Sequence, residues 1–516
     1  MTYESRDIIL TTLNARYMHT AFGLRYLYAN LGALQDRASI IEFTIHERAI
    51  DIAEKLLADN PRIIGFGVYI WNAAEVARCV ELIRQVSPQT VIVLGGPEVS
   101  FRDDAPAFVT LADYVIAGAA EKTFRELCEA ILAGRKPVER FIERDELPLD
   151  QLELPYRYYS EQDIRNRLIY VEASRGCPYK CEFCLSSLDR TSKPFGLQRF
   201  LGEIEDLYRR GARNFKFIDR TFNLKLDTGI AILEFFLERM RLSENTSADN
   251  DLYLHFEVVP DNLPDKLKAV IEQFPPHALQ FEVGVQTFDE EIQALISRRQ
   301  NNARTVQNLR WLREQSHAYI HADLIFGLPG DSLENFADSF DQLVRLRPHE
   351  IQLGILKRLR GVPLNRHNDE YQMRYNPQPP YNVLATRDID FTTMQRINRF
   401  ARYWDMIANS GRFRQSLPLI LGDSPFDNFL QLSDWLYAQC GSTWKIALRR
   451  LYGLLNDYVQ QAEGFGGEEI DSAVWLDRLE QDYSRSGEKA PFDSLFKVSK
   501  LSRIGSANKR QRQNLG

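Results

Sequence analysis

The stretch Ser174-Arg-Gly-Cys-Pro-Tyr-Lys-Cys-Glu-Phe-Cys184 carries three of the chain's six cysteines, spaced C-x₃-C-x₂-C. Three thiolates this close together favour a multi-iron cluster, because each sulfur can ligate one iron of a cubane. The candidate metal ligands are therefore Cys177, Cys181 and Cys184. Three protein ligands leave one iron open to a further molecule.

The cysteine spacing is also compatible with two structures that hold no cluster. The same spacing puts three residues on one face of a helix, so three core cysteines would produce it. Pro178, Lys180 and Glu182 between the cysteines suit neither a buried helix nor a strand. A disulfide with one thiol left over is the second alternative, and the sequence shows no secretory signal that would favour it.

With Phe183 directly before the last cysteine, the motif resembles the cluster loop of the radical S-adenosylmethionine (SAM) superfamily. The resemblance implies a [4Fe–4S] cluster whose open iron is chelated by the amino and carboxylate groups of SAM. It also implies one-electron cleavage of SAM to a 5′-deoxyadenosyl radical, and a contact between Phe183 and the adenine.

The length and composition limit the remaining options. With 516 residues the chain is too long for one compact core, so two or three domains are expected. A 44% hydrophobic and 26% charged composition is that of an ordinary globular protein. The net charge of −7 gives no reason to expect nucleic acid, and no stretch approaches the ~20 apolar residues of a membrane helix. These features predict a reducing, cytoplasmic location.

Residues 1–133 predict an α/β domain with a doubly wound, Rossmann-like parallel sheet. Apolar runs at 8–13, 39–44, 63–69, 91–94 and 114–117 alternate with amphipathic helical patterns. Five short apolar strands of this kind are typical of such sheets, which bind ligands beyond the carboxyl ends of the strands.

This domain resembles the cobalamin-binding domain of B12-dependent radical SAM enzymes. The resemblance rests on the strand order, on Gly-Gly-Pro after the fourth strand and on Gly-x-x-Glu after the fifth. It implies cobalamin contacts from loop residues at three strand ends, namely Asn14, Tyr17, Tyr69, Trp71, Gly95 and Gly96. His19 lacks the aspartate of the D-x-H-x-x-G motif, so it is not predicted to ligate cobalt. A domain that kept the fold and lost the cofactor is the alternative.

Residues 134–167 are rich in Leu-Pro and predict an extended linker.

Strands then recur from 168 to 365, and polar residues follow them, which indicates a partial, six-stranded (β/α)₆ barrel of the TIM type with its site at the carboxyl ends. Asp219 and Glu257 are candidates for the SAM amino group and ribose, with a helix cap or a strand-end ion pair as the alternative. Gln286 resembles the family's G-x-Q-[ST] motif. Arg298 resembles an arginine near the SAM carboxylate, and a solvated face is its alternative.

Beyond residue 365 the pattern becomes helical. Residues 366–496 predict long helices at 392–408, 426–440 and 442–458, whose aromatic residues suit core packing. A cap over the barrel mouth is the functional alternative. Residues 497–516 form a basic tail that is expected to be disordered.

The two resemblances together imply a cobalamin-dependent radical SAM enzyme that methylates an unactivated carbon or phosphorus centre. The expected partners are a small-molecule or peptide substrate and a reductase such as flavodoxin or ferredoxin, without nucleic acid or membrane. Three alternatives stay open: methylthiolation, cyclisation or rearrangement without methyl transfer, and a non-catalytic cluster or B12 sensor.

Overall fold

The structure is a computed structural model that describes residues 6–143, 147–244, 252–461, 470–489 and 491–492. The chain divides into two compact units. Unit 1 comprises residues 1–331 and 355–388, and unit 2 comprises residues 332–354 and 389–516. No helix among the described residues is long and apolar enough to cross a membrane.

The first sheet of unit 1 has six parallel strands in the order β2-β1-β3-β4-β5-β6. The strands are β1 (Ile8–Asn14), β2 (Ala38–Thr44), β3 (Ile63–Gly67), β4 (Val91–Gly95), β5 (Tyr114–Ile116) and β6 (Phe141–Ile142). The helices between them are α1 (Phe22–Ala29), α2 (Ala49–Leu57), α3 (Ala73–Val86) and α4 (Glu121–Leu132). The predicted doubly wound sheet is confirmed, and its five predicted strands are present.

The sixth strand is an addition to the prediction. β6 pairs with β5 through Val115 opposite Phe141 and lies inside the predicted linker. Two residues give no periodic pattern, so the sequence signal for this strand is absent.

Both faces of the first sheet are buried, which is why its strands are apolar runs. Ile8 and Leu10 belong to the apolar cluster on one face, while Ile9 and Leu13 belong to the cluster on the other.

The predicted linker ends in a buried ionic anchor. Helix α5 (Glu161–Asn166) is capped by Ser160, whose side chain forms a capping box with Asp163. Arg25 is 4% exposed and donates to Asp163 at 2.8 Å, and Arg167 lies 2.9 Å from Glu42. Removing one partner of a buried pair costs about 3–5 kcal/mol, so this anchor fixes the linker to the first sheet.

The second sheet also has six strands, in the order β14-β13-β12-β11-β10-β7, which confirms the partial barrel. Its strands are β7 (Ile169–Val171), β10 (Asn214–Phe217), β11 (Tyr253–Val258), β12 (Leu279–Gln286), β13 (Tyr319–Phe326) and β14 (Glu350–Ile355). Between β7 and β10, β8 (Ser174–Arg175) pairs with β9 (Lys193–Pro194). The helices are α6 (Leu197–Arg209), α7 (Leu226–Glu244), α8 (Asp265–Ile271), α9 (Glu290–Leu295), α10 (Asn302–Gln315) and α11 (Leu333–Arg345). Buried and half-buried residues alternate along β12 and β13, as expected of strands that have apolar outer faces and polar inner faces.

Among the described residues, the helices predicted for residues 366–496 begin at Phe391 and the last of them ends at Arg485. Two short strands come first, β15 (Arg374–Tyr375) and β16 (Val383–Ala385), and they belong to unit 1. Unit 2 then contains α12 (Phe391–Trp404), α13 (Leu417–Leu421), α14 (Pro425–Cys440), α15 (Leu448–Gln461) and α16 (Ser472–Arg485).

The aromatic side chains of unit 2 form its core, as predicted. Phe340 packs edge-on against Trp404 with ring centroids 4.8 Å apart, and Phe400 and Phe429 are fully buried. Phe391, Tyr437 and Trp444 are exceptions with exposed side chains, and Trp444 packs under the guanidinium of Arg402. The basic tail at 497–516 lies outside the described residues.

Candidate active site

Three cysteine thiols line one cavity at the carboxyl ends of the barrel strands. We call it the thiol cavity; it has a volume of about 240 Å³, and Cys177, Cys181 and Cys184 all lie on its wall. The loop that carries them is held in place by its backbone, because the Cys177 N–H donates to the carbonyl of Asp189 at 2.9 Å. Gly176 has φ +87°, and a Cβ there would lie 2.3 Å from the Thr191 carbonyl oxygen, so a larger residue does not fit.

Three thiols on the wall of one cavity suit a cubane cluster, because each cysteine of such a cluster ligates a different iron. Burial raises the pKa of the Cys181 thiol, while the nearby charge of Arg298 lowers it. Nη1 of Arg298 donates to Sγ of Cys181 at 3.7 Å and thereby favours the thiolate that iron binds.

Gln286 lies in the wall of the same cavity in a conformation that few residues adopt. Its φ is +70°, and the pairing of β12 with β13 shifts register between Gly284 and Gln286. A Cβ at position 284 would lie 2.6 Å from Nε2 of Gln286, so a side chain there would displace the end of this glutamine. The Oε1 atom of Gln286 is buried and has no hydrogen-bond partner within the described part of the chain. A buried acceptor of this kind calls for a donor from a bound molecule.

Two carboxylates of the barrel interior also line the thiol cavity. Glu257 pairs with Arg220 at 2.7 Å, and burial raises the pKa of Glu257 although this arginine opposes the shift. Glu282 accepts from His255 at 3.0 Å and lies 3.4 Å from Lys216. Burial acts to raise the pKa of Glu282, but the hydrogen bond and the lysine outweigh it and hold the pKa well below the usual range. Basic side chains therefore lie within ion-pair distance of both carboxylates in this cavity.

The structure brings four of the five predicted SAM residues to the thiol cavity, namely Phe183, Glu257, Gln286 and Arg298. Asp219 is the exception. It is 4% exposed, and its carboxylate accepts from the Ala173 N–H at 2.9 Å and from the Ser174 hydroxyl at 2.6 Å. Burial raises its pKa to about 7. These bonds make Asp219 a support for the strand end that leads into the cysteine loop.

A larger cavity lies at the carboxyl ends of the first sheet. We call it the sheet-edge cavity; it has a volume of about 720 Å³. Five of the six residues predicted to bind cobalamin line it, namely Asn14, Tyr69, Trp71, Gly95 and Gly96. The rings of Tyr69 and Trp71 are stacked with centroids 4.5 Å apart. Tyr17 lies outside the lining, is 52% exposed and accepts a hydrogen bond from Gln162.

Asn72 shapes this cavity, and the sequence did not predict its role. It is fully buried, and its amide group donates to the carbonyls of Leu13 and Gly67 at 3.1 and 3.2 Å. Its Oδ1 accepts from the Tyr69 N–H at 2.8 Å. Asn72 thus joins the ends of β1 and β3. The sequence did offer one signal for this role, a polar residue directly after the aromatic loop at a strand end. Such residues more often cap helices, so the signal is not specific.

The barrel contributes one wall of the sheet-edge cavity. Tyr170, Glu172, Arg175 and Ile218 lie on it. Nη1 of Arg175 lies 2.8 Å from Glu121 at the start of α4, and its Nε donates to Glu172 at 2.9 Å. Tyr170 bonds to Nδ1 of His19 at 2.8 Å, and burial lowers the pKa of that histidine. Because Arg175 stands two residues before Cys177, the same short segment borders both cavities.

The chain matches three family models. Residues 8–128 match the B12 binding domain, and residues 171–343 match the Radical SAM superfamily. Residues 369–515 match a third family, described as a protein of unknown function (DUF4080).

Curated relatives agree with the first two matches. The 2-(S-pantetheinyl)-carbapenam-3-carboxylate methyltransferase of Streptantibioticus cattleyicolor is 25% identical over 342 residues, which cover 59% of this chain and 48% of that protein. The cobalamin-dependent radical SAM methyltransferase TokK of Streptomyces tokunonensis is 24% identical over 367 residues, 62% of this chain and 51% of that protein. The chain spans about half the length of these relatives. The uS12 methylthiotransferase RimO of Pelobacter propionicus matches 212 residues at 24% identity, 40% of this chain and 46% of that protein.

The solved structure of the cobalamin-dependent SAM radical enzyme OxsB with aqua-cobalamin and SAM bound has the same fold. The TM-score is 0.59 at 13% identity, over 98% of this chain and 82% of that one. A radical SAM barrel that follows a B12-binding domain defines the class of protein. The chain carries a B12-binding domain and a radical SAM domain, as its sequence predicted.

Proposed function

We propose that this enzyme is a cobalamin-dependent radical SAM methyltransferase. Cys177, Cys181 and Cys184 would hold a [4Fe–4S] cluster with SAM in the thiol cavity, and the sheet-edge cavity would hold cobalamin. Together these groups supply a carbon-centred radical and a transferable methyl group for an unactivated carbon or phosphorus centre of a small molecule or peptide.

The observation that carries this proposal is the shared segment at the two cavities. Arg175 faces the sheet-edge cavity, and Cys177 lies on the wall of the thiol cavity. A ligand held by the first sheet would therefore meet the barrel close to the cysteine loop. Methyl transfer from one cofactor to a substrate radical made by another requires such proximity.

The residues of the thiol cavity supply binding and orientation for SAM. The unpartnered Oε1 of Gln286 would accept from the amino group or a ribose hydroxyl of SAM. Arg298 and Phe183 line the same wall and would contact the carboxylate and the adenine. The Glu257–Arg220 pair would hold its carboxylate in a fixed direction toward the cavity.

Methylthiolation is the less favoured activity, although a methylthiotransferase is among the relatives. That chemistry needs a second cluster with three cysteines in the first domain. Cys79 and Cys128 are the cysteines of residues 1–133, and each is fully buried. They belong to the apolar clusters on opposite faces of the sheet, so they cannot share a cluster.

The proposal extends to the electron donor and the compartment. A [4Fe–4S] cluster that cleaves SAM needs one electron at low potential, for which flavodoxin or ferredoxin is the expected source. Thiolate ligands and an oxygen-sensitive cluster suit the reducing cytoplasm.

Anaerobic reconstitution with iron, sulfide and hydroxocobalamin tests the proposal. After desalting, we expect cobalamin bands beside the broad cluster absorption, and 5′-deoxyadenosine after addition of SAM and dithionite. The control is the triple variant C177A/C181A/C184A, which should retain cobalamin and lose iron and SAM cleavage. Retention of a cluster without cobalamin would contradict methyl transfer. Binding of both cofactors without cleavage of SAM would indicate a non-catalytic sensor instead.

A further inference from the structure

A short segment after the barrel connects the loops that border the two cavities. Residues 358–367 follow β14, belong to unit 1 and include a 3₁₀ turn over Pro363–His367. We call this segment the strap. One of its ends contacts the loop after β4, which begins at Gly96, and the other contacts the cysteine loop.

The first end of the strap is a buried ion pair. Nε of Arg360 donates to Oε1 of Glu98 at 2.6 Å, and the two side chains are 9% and 3% exposed. Nη1 of Arg360 donates to Oδ1 of Asp104 at 3.1 Å, and its Nη2 donates to the Tyr381 hydroxyl at 2.9 Å. Arg358 donates to the same Asp104 carboxylate at 2.7 Å. Because Glu98 is two residues after Gly96, these bonds fix the loop that borders the sheet-edge cavity.

The backbone reinforces this contact. Gly361 has φ +70°, and a Cβ there would lie 2.0 Å from a ring carbon of Phe101. No side chain fits in that space, so the strap backbone and the Phe101 ring are in direct contact. An ion pair and close packing therefore both hold the first end of the strap against the loop after β4.

The second end of the strap holds Glu182, which stands between Cys181 and Phe183. Glu182 is 5% exposed, and its carboxylate accepts from Nε and Nη2 of Arg366 at 2.9 and 2.8 Å. Nε2 of His367 lies 3.2 Å from the same carboxylate. The Leu364 N–H donates to the Glu182 carbonyl at 3.1 Å. The cysteine loop is therefore bonded to the strap through side chain and backbone.

We propose that the strap sets the relative position of the cobalamin loop and the cysteine loop. Arg360 is then a positioning residue for the cobalamin loop, and Glu182 is a positioning residue for the cluster. Six residues separate Arg360 from His367, and the 3₁₀ turn shortens this span, so a displacement of one loop is passed to the other. This inference rests on the proposed function for the identity of the two ligands.

The double variant E98Q/R360M tests the first end. Methionine alone would leave a buried, unpaired carboxylate, and the glutamine removes that charge so that the fold is kept. We expect the dissociation constant of hydroxocobalamin to rise about tenfold, the loss that corresponds to one charge-assisted hydrogen bond. Iron content should equal that of the wild type. Pulsed EPR on protein with cob(II)alamin and reduced cluster should show a broader distribution of spin–spin distances.

The second end and the control complete the experiment. E182Q should alter the EPR spectrum of the cluster and broaden the same distances. The control R48M/D51N removes an exposed pair at the start of α2, 2.6 Å apart, and should change none of these values. Wild-type affinity and an unchanged distance distribution in E98Q/R360M would overturn the inference. Failure of the wild type to bind cobalamin would instead refute the proposed function, and the strap proposal with it.

Discussion

Replacement of Asp219 by asparagine should remove a pH-dependent loss of stability. Asp219 is buried beneath the strand end that leads into the cysteine loop, and burial raises its pKa from 3.8 to about 7. Asparagine can keep both hydrogen bonds: its Oδ1 accepts from the Ala173 N–H, and its Nδ2 donates to the Ser174 oxygen. The variant therefore removes the titration with little change in packing.

The magnitude follows from the pKa difference between the folded and unfolded states. A raised folded pKa means that the folded state binds the proton more tightly, so the contribution is fully present below pH 3.8 and is lost as the pH rises through about 7. Each pKa unit corresponds to ~1.4 kcal/mol. Between pH 5 and 8 the wild type should therefore lose about 2–3 kcal/mol of unfolding free energy that D219N does not lose.

The assay is chemical denaturation of the apoprotein at pH 5, 6, 7 and 8, for wild type, D219N and D150N. The last variant changes an exposed aspartate and should follow the wild type. A pH slope in D219N equal to that of the wild type would refute the reasoning. The same variant tests the sequence prediction for Asp219: a large loss of SAM affinity in the holoenzyme would mean that this side chain contacts SAM.

Three further substitutions test the cavity walls. G284A places a Cβ 2.6 Å from Nε2 of Gln286, and we expect SAM cleavage to fall at least tenfold with unchanged iron content, measured as 5′-deoxyadenosine. N72A removes three backbone hydrogen bonds of a fully buried amide and should cost about 2–4 kcal/mol of unfolding free energy, with weaker cobalamin binding. G96A puts a Cβ 2.4 Å from the Val68 carbonyl oxygen at φ +107°, so cobalamin retention after desalting should be lost while the cluster absorption stays.

Much of the fold was predictable because its elements have strong local signals. The strands of the first sheet are short apolar runs, and helix α4 occupies residues 121–132, as its amphipathic pattern indicates. The cysteine spacing likewise needs no tertiary information. Weak local signals explain the differences. Strand β6 has two residues, and the predicted helix at 442–458 begins at Leu448 instead.

Apart from residues recognised by a motif, the site was predictable where a residue ends a strand or follows it directly. Gln286 and Gly96 could be placed at a sheet edge from the alternation of strands and helices alone. Glu98, Glu182 and Arg360 could not, because the bonds that hold them join residues 262 and 184 positions apart along the chain. Asp219 was predicted to contact SAM because it lies at a strand end. That position does not reveal whether a carboxylate faces a cavity or its own backbone.

The contact between Gly361 and Phe101 has a consequence for evolution and for protein engineering. Position 101 belongs to the first domain and position 361 to the segment after the barrel, yet neither can gain volume unless the other loses it. Among homologous sequences we therefore expect the two positions to vary together, with a small residue at 101 wherever 361 has a side chain. A chimera that joins the first domain of one homologue to the barrel of another should fold only when this pair is exchanged as a unit.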